Sequence, residues 1–165
     1  MDSLTVDGIR RSMINCSKGD AKRMTIARHI DPTDLEHVEF LGWRDPRIPQ
    51  RAYLVALDHD SLIGVLLRPA TGGARRTAMC ALCRTTRTDG QISLHTAPRA
   101  GAAGRDGNSV GTYICDDLAC PRTTRLERAP DNTVTPDLSQ PLPERTAGLR
   151  TRLHAFINNI RTPTA

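Results

Sequence analysis

The apolar positions of this chain change period several times, and each change predicts a different element. Val6, Ile9 and Met13 recur at helical spacing behind Thr5, which suits a helix N-terminus, and predict a short helix ending near Asn15. Ser17 and Asp20 form an S-x-x-D arrangement that suits a second helical turn in "SKGDAKRM". Asp31-Pro32 predicts a turn. Val38 and Phe40 alternate with polar neighbours in "EHVEFLGW", a strand-like pattern stopped by the prolines of "RDPRIPQ". "RAYLVAL" and "LIGVLLR" flank the polar turn Asp58-His59-Asp60-Ser61 and predict a β-hairpin. "PATGGARR" reads as a flexible connector.

Beyond it, "QISLHTA" and "SVGTYI" predict strands, joined by the glycine-rich "PRAGAAGRDGN" as a mobile hairpin loop. In "CDDLACPRTTRLERA", Pro121 suits a helix start and Arg125 and Arg128 its end, with Asp116 and Asp117 expected as caps at the positive pole. "PDNTVTPDLSQPLP" carries four prolines and reads as a linker. Leu149, Leu153, Phe156, Ile157 and Ile160 form one stripe of a C-terminal amphipathic helix. The pattern predicts an α+β fold in one compact unit. Residues 1–74 form an N-terminal α/β lobe, 75–128 a finger, 129–143 a linker and 144–165 the last helix.

Composition narrows the class. The chain has 165 residues, 38% of them hydrophobic, and only five aromatics, so its core is thin and a metal staple would help it. "MDSLTVDGIRRSM" lacks an apolar export core, and no apolar run reaches the length of a membrane span. The expected location is therefore cytoplasmic, where thiols stay reduced and paired cysteines point to metal. The net charge of +5 is uneven: residues 1–74 hold ten cations and ten acids, whereas 75–128 hold nine arginines against five acids.

The cysteines carry the chemistry. Cys80 and Cys83 make a C-x2-C pair, 31 residues intervene, and Cys115 and Cys120 make C-x4-C. A predicted strand pair between two ligand pairs, the second running into a helix, is the layout of a treble-clef finger. Four thiolates close a tetrahedral site, which predicts one structural Zn2+. An iron–sulfur cluster or a redox dithiol is the other use of such thiols. Four thiolates around Zn2+ leave about −2 at the site, and Arg84 and Arg122, each just after a ligand in sequence, are expected to offset it. Cys16 reads as a small buried residue, and His95 as a strand residue near the site.

The segments "INCSKGDAKR", "FLGWRDP", "MCALC", "GNSVGTYICDDLAC" and "LRTRLHAFI" resemble the bacterial FBP family. It is the C-terminal treble-clef domain of elongation-factor-G-binding proteins that confer fusidic acid resistance. The resemblance implies zinc at Cys80, Cys83, Cys115 and Cys120, and elongation factor G or the ribosome as partner. The resistance proteins carry a further N-terminal helical bundle, to which nothing here corresponds, so this chain resembles a short form.

Candidate partner contacts are Arg122 and Arg125 beside the finger and Lys18, Lys22 and Arg23 in "SKGDAKR". The alternative is a zinc-stabilised module that binds ribosomal RNA phosphates, although Tyr113 alone in the finger offers base stacking. An enzyme is not expected. The glycine-rich "GAAGRDGNS" lacks the G-K-[ST] ending of a phosphate loop, and the histidines fall in no catalytic motif. No small-molecule substrate and no membrane partner are implied.

Overall fold

A computed structural model describes residues 4–71 and 76–161; the centre of the expected "PATGGARR" connector lies outside them. The first apolar stripe forms α1 (Val6–Ser12), capped by Thr5 Oγ1, which accepts from Gly8 N at 3.0 Å. It stops before Asn15 because Met13 bridges to Gly64 as an extended residue, and Ile14 N donates to Gly64 O. Ser17 caps α2 (Lys18–Arg23), and Asp31 caps a 3-10 turn (Pro32–Glu36).

Five strands make the main antiparallel sheet: β1 (Leu41–Arg44), β2 (Ala52–Asp58), β3 (Ser61–Pro69), β6 (Ile92–Pro98) and β7 (Ser109–Cys115), in that order across it. The β2–β3 hairpin closes on Asp58↔Ser61 as expected, with His59 at a left-handed φ of 56°. β4 (Ala78–Met79), β5 (Thr86–Arg87) and β8 (Val134–Thr135) form a second, three-stranded sheet. The stretch expected as a linker thus holds β8, because Val134 is buried opposite Arg87.

The predicted loop between β6 and β7 is also more ordered than its composition suggests. It contains α3 (Gly101–Arg105), where a side chain at Gly104 would overlap the Arg99 carbonyl. α4 (Cys120–Thr124) ends at Arg125, so Arg128 lies beyond it. α5 (Leu142–Arg161) buries all five residues of the predicted stripe.

Two apolar clusters share the sheet. Leu41, Trp43, Tyr53 and Val55 face Ile9, Met24 and Leu35 on one side. Phe40, Leu54, Val65 and Leu67 join the cysteines, Leu118 and the α5 stripe on the other. Strands β3 and β6 pair over only two positions, Arg68↔Thr96 and Pro69↔His95. Asn15 serves the backbone where they part: its Oδ1 accepts from Leu66 N at 2.7 Å, and its Nδ2 donates to Leu66 O and Pro98 O. Such pairing keeps buried backbone groups satisfied without a strand.

Candidate metal centre

Cys80 and Cys83 sit on a tight turn between β4 and β5. Cys80 N donates to Thr85 O, and Arg84 N returns to Cys80 O at 3.0 Å, with Arg84 at a left-handed φ of 61°. The turn aims two amides at one sulfur: Leu82 N and Cys83 N lie 3.3 and 3.4 Å from Cys80 Sγ. Cys115 ends β7, and Cys120 opens α4. Between them Leu118 adopts φ 55°, which turns the chain back so that the second pair faces the first.

The four sulfurs lie within 4.8 Å of one another and are buried. Cys80 Sγ is 3.6 Å from Cys120 Sγ, and Cys83 Sγ is 3.7 Å from Cys115 Sγ. A tetrahedral ion with Zn–S of about 2.3 Å requires sulfurs about 3.8 Å apart. The donor set therefore fits zinc, and four protein ligands leave no open position on a tetrahedral ion. Contacts with the Cys115 and Cys120 sulfurs hold the Cys80 and Cys83 thiols below their ordinary pKa, whereas crowding and burial push Cys120 well above it. A divalent cation resolves this competition by replacing the shared protons.

The groups that support the sulfurs differ from those expected. Arg84 and Arg122 are exposed. Thr123 instead donates through Oγ1 to Cys83 Sγ at 3.3 Å, from a position one helical turn after Cys120. That spacing is a signal the sequence carried. Arg87 is the buried arginine near the cluster: burial opposes its charge, but Asp117 and the Cys115 sulfur hold its pKa above the ordinary value. Asp117 meets Arg87 at 2.9 Å, and Asp116 meets Arg44 at 2.9 Å and accepts from Ser93 Oγ. Neither acid caps α4, whose N-terminal cap is Ala119. Asp116 ties the finger to the main sheet instead, whereas Asp117 braces it internally, through Arg87 on β5 and the Ala119 amide at 3.1 Å.

The remaining candidates fall into separate places. His95 is fully buried on β6, where Nδ1 lies 3.2 Å from Ser93 O and burial lowers its pKa; it is not among the clustered ligands. Cys16 is half-buried ahead of the Ser17 cap. Lys18, Lys22 and Arg23 are exposed on α2, with Arg23 paired to Asp20 at 2.8 Å. Arg122 is exposed and 4.0 Å from Asp117. Arg125 is committed within the molecule: it forms a two-pronged pair with buried Glu39 at 2.8 and 2.9 Å and donates to Pro121 O and His37 O.

Arg122 and Arg125 line a groove of about 670 Å³ beside the finger, with Phe40, Val38, Leu118 and Pro121 among its apolar residues. Its position depends on Gly42, since a Cβ there would lie 2.6 Å from Leu118 Cβ. Sequence reasoning missed this contact although both residues stood in quoted motifs.

Residues 8–160 match the family described as the FBP C-terminal treble-clef zinc-finger. The chain belongs to that family. The family and the buried four-cysteine cluster are together consistent with one structural Zn2+. Among solved structures, the fusidic acid resistance protein FusC is similar at 16% identity and a TM-score of 0.47, over 85% of this chain and 54% of that one. The FBP chain thus spans about half the length of that protein. No curated protein matches. Among the described residues, no helix is long and apolar enough to cross a membrane.

Proposed function

We propose that this chain is a noncatalytic, cytoplasmic zinc-finger protein that binds elongation factor G, on the ribosome or off it, and thereby modulates translation and fusidic acid tolerance. The proposed zinc ligands are Cys80, Cys83, Cys115 and Cys120. The observation that carries the reading is the buried four-sulfur site of an FBP finger, which suits a rigid platform better than a reaction centre. The family resemblance supplies elongation factor G as the partner. A platform fixed by metal has less ordering entropy to lose when it docks.

Arg122 and Arg125 are the proposed contacts at the finger groove, Arg122 as the exposed cation and Arg125 as the strut that holds the rim to Glu39. Lys18, Lys22 and Arg23 do not line that groove and are assigned to the ribosomal side of the reading. The test is size-exclusion co-migration of the zinc-loaded chain with elongation factor G. A shared peak that is lost on chelation and weakened by Arg122→Glu is expected. Separate peaks at tens of micromolar would overturn the proposed partner.

A further inference from the structure

Two grooves flank the Cys16–Ser17 backbone between α1 and α2. One, of about 570 Å³, is lined by Arg10, Arg11, Lys18 and Lys22 against a single acid, Asp7. The other, of about 470 Å³, is lined by Arg68, Arg99 and Arg105 against Asp20. Internal ion pairs leave most of this charge available. Among the described residues, Asp7 pairs with Arg10 alone, at 3.9 Å, and Asp20 is held by Arg23 and Arg51 at 2.8 and 3.3 Å. Arg11, Lys18, Lys22, Arg68 and Arg105 are exposed, and among the described residues none has a carboxylate partner.

The sequence hides this face, because residues 1–74 carry equal numbers of cations and acids. Folding separates them. Asp45 turns to Tyr53 and backbone amides, Glu39 to Arg125, Asp58 to Arg161 and Asp31 to Thr33. Among the described residues, Arg11, Lys18, Lys22, Arg68 and Arg105 around Cys16–Ser17 keep no such carboxylate partners.

The chemistry of the face selects its occupant. Protein interfaces are anchored by exposed aromatic and large apolar side chains, yet no aromatic residue lines either groove, and Trp43 and Tyr53 are buried. The same lack removes any platform for stacking single-stranded bases. What remains is repeated positive charge on both flanks of a narrow ridge. That arrangement complements a shallow groove bordered by two phosphate strands, as in an RNA duplex.

We infer that the α1–α2 face binds the phosphate backbone of double-helical RNA, independently of base sequence. This rests on the reading that the protein works at the ribosome, and it assigns that role to a surface apart from the finger groove.

The test is fluorescence anisotropy of the zinc-loaded full chain with a labelled, mixed-sequence RNA duplex across a salt series. Five phosphate contacts give a log–log salt slope of about −4.5, or about 500-fold weaker binding at 200 mM than at 50 mM salt. Lys18→Ala with Lys22→Ala should flatten the slope by about 2, and Arg68→Ala with Arg105→Ala should do the same from the other flank. Circular dichroism checks that these surface variants remain folded. Arg122→Glu should keep full RNA affinity.

Salt-independent binding, or parental affinity in both double variants, overturns the inference. So does equal affinity for polyglutamate, which would make the face a protein contact, or tighter binding of the matching DNA duplex. Loss of elongation factor G co-migration with RNA binding intact would refute only the partner proposed above.

Discussion

Gly42→Ala tests how the finger is seated. The new Cβ would lie 2.6 Å from Leu118 Cβ, 3.1 Å from the Leu118 carbonyl oxygen and 3.1 Å from Phe40 Cε2. Neither side yields easily. Gly42 is in register with Leu54 within the sheet, and Leu118 is held at φ 55° between two cysteine ligands. Overpacking of this kind costs about 1–3 kcal/mol. The lower backbone entropy of alanine returns about 0.5–1 kcal/mol. A net loss of about 1 kcal/mol should lower Tm by about 2–4 °C for a chain of this size. Thermal unfolding of the zinc-loaded protein measures that, and transfer of zinc to a chelator should quicken as Leu118 is displaced.

A second variant isolates the cause. Leu118→Gly removes the clashing Cβ and accepts the left-handed backbone, so in its background Gly42→Ala should be close to neutral. If the two substitutions are additive within about 0.5 kcal/mol, the contact is not what makes glycine necessary and the reasoning fails.

Cys115→Ser should drop zinc below one equivalent and raise amide exchange through β6, β7 and α4; a full zinc complement with unchanged melting would refute the ligand assignment. Asp45 makes a pH prediction. Burial opposes its charge, but the amides of Thr25, Arg47 and Ile48 and the Tyr53 hydroxyl hold its pKa below the usual carboxylate range. A depressed folded pKa gives stability that is full above the unfolded value of about 4 and is lost as pH falls through the folded one. Acid also frees zinc from thiolates, so the readout is the stability gap between the parent and Asp45→Asn. That gap should narrow below about pH 4, and a constant gap from pH 7 to pH 3 would contradict the assignment.

The elements legible in the sequence are those whose signal is local. The α5 stripe has helical period, the β2–β3 turn is polar between two apolar runs, and cysteine spacing names its own partners. The acids of "CDD" were misleading because helix caps and long-range pairs use the same residue type. Asp116 and Asp117 reach Arg44 and Arg87, 72 and 30 positions away, and only the turn at Leu118 decides that. Gly104 and Val134 lie in stretches rich in glycine and proline, where composition argues for loops, yet tertiary contacts order both. The groove beside the finger was illegible for the same reason: it joins residues near 40 to residues near 120.

The burial of the cysteine cluster by α5 bears on the order of events during synthesis. Arg152 donates to Leu82 O, and the α5 stripe shares one core with the sulfurs. All four thiols leave the ribosome before that helix does. At about 5–20 residues per second, the 40 positions from Cys120 to Ile160 take about 2–8 s to be added. During that interval the finger is complete in its ligands but lacks its cover. The nascent chain therefore has a window in which metal can be loaded from the open side, before the arrival of α5 closes the core over it.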